Sequence, residues 1–254
     1  MFLKTADAEL FVTSFGKGPA TLVAHGGWVG SGELWTGPFE ILSRNWRTIA
    51  YDHRGSGATR HSAGAITFEL LVGDLFRVLD GLQVETCVLA GESMGAMVVL
   101  EAALRQPRRF TGLVIVDGRY SGGASAQRDA LIAGCRANFG ATMDAFVDAC
   151  TPEPDCAAER AWGRQIVRRS NALDAVQLLQ CEPAADLLPR LGAITQPTLV
   201  LHGSLDSVTP LAAARQLAAA LPNATLALAE GAGHVPTVTR PAWVAQQIDD
   251  FFAG

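Results

Sequence analysis

Short runs rich in Val, Ile and Leu recur along the chain, with helix-like stretches between them. This alternation constrains the fold more than any other feature. "ELFVTSF", "ATLVAHG" and "WRTIAYD" read as strands near the start. "TCVLAG", "GLVIVDG", "QPTLVLHG" and "ATLALAEG" follow at wider intervals. Between them, "FELLVGDLFRVLDGL" places Leu71, Leu75, Val78, Leu79 and Leu82 at helical spacing. "MGAMVVLEAALRQ", which ends before Pro107, "PLAAARQLAAAL" and the closing "PAWVAQQIDDFF" also read as helices. Strands this apolar are buried on both faces. Interleaved with helices, they predict an α/β fold: a mostly parallel, doubly wound sheet.

One region breaks the rhythm. From about 119 to 190 the chain holds helix-like pieces, "RDALIAGCRANF" and "AERAWGRQIVRRS", and no convincing strand. It reads as an α-helical insertion over the sheet. Extra core helices and a functional lid are both open from these residues alone. No internal repeat or low-complexity segment is visible. At 254 residues, a single domain with an insertion fits the length.

Composition narrows the partners. Hydrophobic residues make up 49% and charged residues 18%, which suits a sizeable core and argues against disorder. A net charge of -5 leaves no basic stripe for nucleic acid. No apolar run approaches the roughly 18 residues of a membrane span. The opening "MFLKTADAELF" lacks the apolar stretch of a secretory signal. The expectation is a cytoplasmic protein, monomer or homodimer, acting on a small molecule. Cys87, Cys135, Cys150, Cys156 and Cys181 are odd in number and irregularly spaced, which suggests neither a disulfide framework nor a zinc site. Cys87 reads as a small core residue. Cys150 and Cys156 would be the pair to consider in an exported protein.

The chemistry centres on Gly91-Glu92-Ser93-Met94-Gly95, a G-x-S-x-G between a strand and a helix. The pentapeptide alone is a weak signal. Its placement is that of a nucleophile elbow, in which a sharp turn lifts a serine hydroxyl above the carboxyl end of the sheet. A serine needs a base, and histidine titrates in the useful range. Of His25, His53, His61, His202 and His234, the last stands out, in the Gly-rich loop "EGAGHVP" after the final strand. A carboxylate must then fix the imidazole tautomer. Asp206, in "GSLDSVTP", is the first candidate and Asp117, after "GLVIV", the alternative; either also suits a turn or helix cap. The order Ser93, Asp206, His234 is that of the nucleophile-elbow class. The backbone N–H of Met94 and one from "VAHGGW", Gly27 first and Trp28 next, are the candidate oxyanion donors. Trp28, Met94 and Val235 supply apolar lining. Arg119 and Tyr120, just after a strand, are placed to touch a polar substrate group or simply lie exposed.

These pieces together resemble the α/β-hydrolase superfamily over nearly the whole chain. The matching residues are "HGGW" at 25 to 28, "DHRGSG" at 52 to 57, "GESMG" at 91 to 95, "HGSLDSVTP" at 202 to 210 and "GAGHVP" at 231 to 236. "DHRGSG" looks like the family's D-x-R-G-x-G turn, with Asp52 and Arg54 tying loops together and His53 outside the chemistry. The resemblance implies a core domain of residues 1–118 and 191–254, an eight-stranded-type sheet, and a helical cap at 119–190 that sets substrate choice. It implies no metal and no organic cofactor. Serine at 93 sets the chain apart from the dehalogenases and epoxide hydrolases of this fold, which use aspartate there. Ala96 stands where many members carry glycine. Glu92 departs from the Asn, and Val235 from the Trp, of many carbon–carbon bond hydrolases. The expected activity is cleavage of a carboxylic ester through an acyl-enzyme. Enol-lactone and carbon–carbon hydrolysis, cofactor-free perhydrolase or acyltransferase chemistry, and a ligand receptor of the same fold are the alternatives.

Overall fold

The computed structural model describes residues 1–62, 64–121 and 125–252. The strands are β1 (Phe2–Lys4), β2 (Ala8–Phe15), β3 (Ala20–His25), β4 (Trp46–Tyr51), β5 (Arg60–His61), β6 (Cys87–Glu92), β7 (Phe110–Val116), β8 (Thr198–Gly203) and β9 (Ala224–Ala229). They form one sheet in the order β1-β2-β4-β3-β6-β7-β8-β9, with β5 against β2. β1, β4 and β5 run antiparallel to β2. From β4 through β9 every pairing is parallel. β1 and β5 carried no sequence signal, being three and two residues long.

The helices are α1 (Thr36–Leu42), α2 (Phe68–Gly81), α3 (Gly95–Arg105), α4 (Ala126–Cys150), α5 (Ala157–Val167), α6 (Ala172–Gln180), α7 (Leu211–Ala220), α8 (Pro236–Thr239) and α9 (Pro241–Phe252). The period-2 alternation of the strands sorts them onto two faces. Leu22, Ala24, Val88, Ala90, Val114 and Leu199 pack with Trp35 and Phe39 at α1 and with Val244 and Ile248 of α9. Val23, Leu89, Leu113 and Ile115 pack with Leu71 and Leu75 of α2, Val98 of α3 and Leu217 of α7. The sheet is therefore doubly wound, as the apolar strand runs predict.

Two features position the site. The chain leaves β3 for β4 on one side and returns to β6 on the other. The crevice beyond the carboxyl ends of β3 and β6 is thus a topological switch point, where open α/β sheets bind ligands. His25 pairs there with Gly91. The second feature is the run between β7 and β8, which holds α4, α5 and α6 and no strand among its described residues. The helix read at 128–139 is the first part of α4. Backbone geometry breaks at Asn138 (φ -157°, ψ 88°), whose side chain accepts from the Ala141 N–H at 3.1 Å. Asn138 thereby caps the second part of α4 as a fresh start.

All five cysteines are free and buried, Cys150 and Cys156 included. Burial raises the Cys87 thiol to about 12, so it stays a neutral core side chain. Among the described residues, no helix is long and apolar enough to cross a membrane.

Candidate active site

Ser93 sits between β6 and α3 with φ at 52°, a left-handed conformation that costs a non-glycine residue about 1–3 kcal/mol. Three backbone bonds hold it there. The Ser93 N–H donates to Val116 O (2.9 Å), and Ser93 O accepts from Ala96 (3.1 Å) and Arg119 (3.0 Å). The flanking glycines are required by space. A Cβ at Gly91 would lie 2.6 Å from Val99 Cγ2, and one at Gly95 would lie 2.4 Å from Gly26 O. The two glycines of the pentapeptide thus let α3 fold back tightly against β6 and the loop after β3.

His234 reaches the serine from the loop after β9. Its Nε2 lies 2.8 Å from Ser93 Oγ, and its Nδ1 lies 2.8 Å from Asp206 Oδ2. The carboxylate fixes the tautomer: Nδ1–H donates to Asp206 and Nε2 accepts from the serine. Asp206 is itself oriented, its Oδ1 accepting from the N–H groups of Val208 (2.7 Å) and Thr209 (2.9 Å). Burial raises the Asp206 pKa, but the bonds from His234 and the backbone outweigh it, so the carboxylate stays ionised.

Asp117, the alternative acid, lies behind Asp206. Its Oδ1 accepts from the Gly203 N–H at 2.8 Å. His202 Nδ1 approaches to 3.1 Å without forming an aligned hydrogen bond. Burial and the negative charge of Asp206 push the Asp117 carboxyl well above the usual range. One carboxylate touches the imidazole, and the second lies behind it. His25 and His53 are elsewhere. They stack at 5.0 Å, with the His25 Nδ1 2.7 Å from Gly26 O and the His53 Nε2 2.8 Å from Gly27 O. Burial, helped by His53, lowers the His25 pKa to about 3. Both rings brace the loop after β3. Arg54 binds Asp74 (2.6 Å) and Asp7 (2.8 Å), and Asp52 accepts from Gly32 and Ala58. The "DHRGSG" turn is thus a loop tie.

Gly27 lies against Ser93: a Cβ there would sit 3.2 Å from Ser93 Cβ. Among the described residues, the Gly27 and Met94 N–H groups donate to no protein acceptor. Two cavities meet at Ser93. The larger, about 260 Å³, is lined by Trp28, Met94, Arg119, Tyr120, Arg128 and Glu182 among others. The smaller, about 50 Å³, is apolar, with Val29, Leu34, Val147 and Val235 in its wall. Trp28 borders both. Its Nε1–H donates to Ala175 O in α6 (2.8 Å), and its ring meets Phe146 of α4 edge-on at 4.9 Å. Tyr120 also lines the larger cavity, but its hydroxyl is committed to Gln216 Oε1 at 2.6 Å.

Two carboxylates escaped the sequence reading as parts of the site. Glu92, the variable residue of the elbow, is 1% exposed and accepts from the Thr237 hydroxyl at 3.0 Å. Burial pushes its pKa up to about 7, with His234 pulling the other way. Glu153, just past α4, accepts from the Gly233 N–H at 2.9 Å, while the His234 N–H donates to Cys150 O at 2.8 Å. The end of α4 therefore grips the histidine loop. Nothing local in the sequence signals a contact across 80 residues.

Comparison with known proteins agrees with this architecture. The family model described as "alpha/beta hydrolase fold" matches residues 20–241. A protein of Variovorax paradoxus (strain S110) named "Putative carbamate hydrolase RutD" is 30% identical, over 98% of this chain and 93% of its own. The crystal structure of a hydrolase from Pseudomonas aeruginosa PA01 superposes with TM-score 0.91 at 26% identity, covering 100% of this chain and 98% of that one. An esterase from Exiguobacterium antarcticum reaches TM-score 0.92 at 19% identity, over 100% and 99% of the two chains. Sequence match, topology and site geometry agree: this chain is a hydrolase of the α/β-hydrolase family.

Proposed function

We propose that the protein is a serine hydrolase that cleaves a carboxylic ester of a small to medium substrate through an acyl-enzyme. The observation that carries this reading is the hydrogen-bonded line from Ser93 Oγ through His234 to Asp206, each link 2.8 Å. Ser93 Oγ attacks the acyl carbonyl as its proton passes to His234 Nε2. Asp206 holds the imidazole and stabilises the imidazolium. The free N–H groups of Gly27 and Met94 receive the tetrahedral oxyanion, each such donor being worth about 3–4 kcal/mol in the transition state. The C–O bond to the leaving alcohol then breaks, with the proton returned from Nε2. Water, deprotonated by His234, attacks the acyl-enzyme, and Ser93 leaves with the proton. None of these steps calls on a metal or an organic cofactor.

The segment 119–190 serves as the cap in this scheme and the remainder as the core. Support comes from Phe146, Leu178 and Leu179, which roof the larger cavity, and from Trp28, which joins cap to core. An apolar part of the substrate suits the smaller cavity. The larger one carries charge, so the substrate has a polar part as well. A carbamate is the second reading, favoured by the name of the Variovorax relative. Its carbonyl would meet the same nucleophile and donors.

The test is steady-state hydrolysis of p-nitrophenyl esters from acetate to decanoate, with Ser93→Ala alongside. Repeated turnover by the wild type that is lost in the variant is expected. Turnover that survives in Ser93→Ala would place the nucleophile elsewhere.

A further inference from the structure

The described residues that line the larger cavity carry a net positive charge. Three charged side chains line it: Arg119, Arg128 and Glu182. Arg128 is paired with Glu182. Arg119 makes no side-chain hydrogen bond or ion pair among the described residues. Two guanidiniums against one carboxylate leave a net charge of about +1 at the cavity wall.

The position of Arg119 is fixed by the same turn that fixes the nucleophile. Its N–H donates to Ser93 O at 3.0 Å. The preceding residues have little freedom. Asp117 has φ at 46°, and a Cβ on Gly118 would fall 2.2 Å from Ile115 Cγ2 and 2.7 Å from Ala96 Cβ. The Arg119 backbone is thus fixed beside the reacting serine, and its side chain lines the same cavity as Ser93. Burial, and secondarily Arg128, lower its proton affinity while Glu182 raises it, yet a guanidinium stays charged in protein surroundings. A half-desolvated cation with no direct ion pair among the described residues gains when an anion joins it.

We propose that the substrate carries a carboxylate, which Arg119 binds while the scissile carbonyl sits between Ser93 and the oxyanion donors. The proposal rests on the acyl-transfer reading above. A planar carboxylate matches the fork of a guanidinium with two parallel hydrogen bonds. A single uncompensated charge suits a monoanion and not a phosphate dianion. The Tyr120 hydroxyl is already given to Gln216 and Arg128 to Glu182, so Arg119 is the cation of the described lining best placed to take the anion. The cavity therefore selects an ester or lactone with a free acid group a few bonds from the reacting carbonyl.

Two matched pairs of probes test this. Mono-p-nitrophenyl glutarate against p-nitrophenyl pentanoate places the carboxylate on the acyl side. 4-Carboxyphenyl butyrate against phenyl butyrate places it on the leaving group. A charge-assisted hydrogen bond predicts about a 10- to 100-fold higher kcat/KM for the acid of at least one pair. Arg119→Gln should collapse that ratio, and Arg119→Lys should restore part of it by keeping the charge without the fork. Turnover of the neutral esters by wild type and not by Ser93→Ala reports the hydrolase reading separately. Neutral-ester turnover with no acid preference in either pair, or a preference that survives in Arg119→Gln, overturns the carboxylate assignment alone. If no ester turns over, titration calorimetry of glutarate decides. Binding to Ser93→Ala that is lost in Ser93→Ala/Arg119→Gln supports the site, and equal heats in both overturn it.

Discussion

Glu92 offers a prediction whose size follows from its surroundings. The side chain is buried, next to Ser93 in the chain, with the Thr237 hydroxyl as its partner at 3.0 Å. Burial raises its pKa from 4.5 in a free chain to about 7, opposed by His234 and Thr237. Between these two values the native state holds a proton that the unfolded chain has released. Stability therefore falls as pH rises through this window and levels off above about pH 7. A rise from 4.5 to about 7, at 1.36 kcal/mol per pH unit, corresponds to about 3 kcal/mol. Glu92→Gln keeps the shape and an acceptor for Thr237 but cannot ionise. Its stability relative to wild type should improve by about 3 kcal/mol on going from pH 4.5 to pH 8. Any fixed cost of the amide shifts both ends equally and leaves the difference intact. Urea denaturation of both proteins across this range measures it. A wild-type minus variant difference that is flat with pH would refute the burial argument.

The two aspartates are separable. Asp206→Asn removes the charge that orients His234 and should lower kcat by about 10³- to 10⁴-fold. Asp117→Asn changes a carboxyl that makes no hydrogen bond to the imidazole and whose proton affinity burial raises, so it should stay within about tenfold of wild type; the reverse order would make Asp117 the acid. Glu153→Gln keeps an acceptor for the Gly233 N–H, whereas Glu153→Ala frees the histidine loop. The alanine variant should lose about tenfold or more in kcat with a smaller change in KM, while the glutamine recovers most of it. Equal losses in both variants, or none in either, would show that this bond does not position His234.

The legible parts of the sequence are those in which local physics sufficed. "GLVIVDG" and "QPTLVLHG" are too apolar to sit anywhere but inside a parallel sheet, and they form β7 and β8. "GESMG" was legible because only glycine fits at 91 and 95, where a Cβ would strike Val99 and Gly26. "GAGHVP" stood out because a histidine in a Gly-rich loop after the last strand has few structural duties. What stayed hidden depends on contacts distant in sequence. Nothing beside Glu153 points to Gly233, and nothing beside Glu92 says that Thr237 will close over it. α6 has apolar spacing too short to separate it from its neighbours, yet it holds Trp28 through Ala175. That Arg119 lacks a direct ion pair emerges only once the fold sets Arg128 against Glu182, 54 residues apart in the chain.

The central claim is that Ser93 becomes acylated. The most direct measurement is intact-protein and peptide mass spectrometry after brief exposure to a fluorophosphonate, which mimics the tetrahedral intermediate. The account predicts one adduct per chain, on the peptide that contains Ser93, and none in Ser93→Ala. An unlabelled Ser93 in protein that turns over esters, or an adduct on another residue, would contradict it.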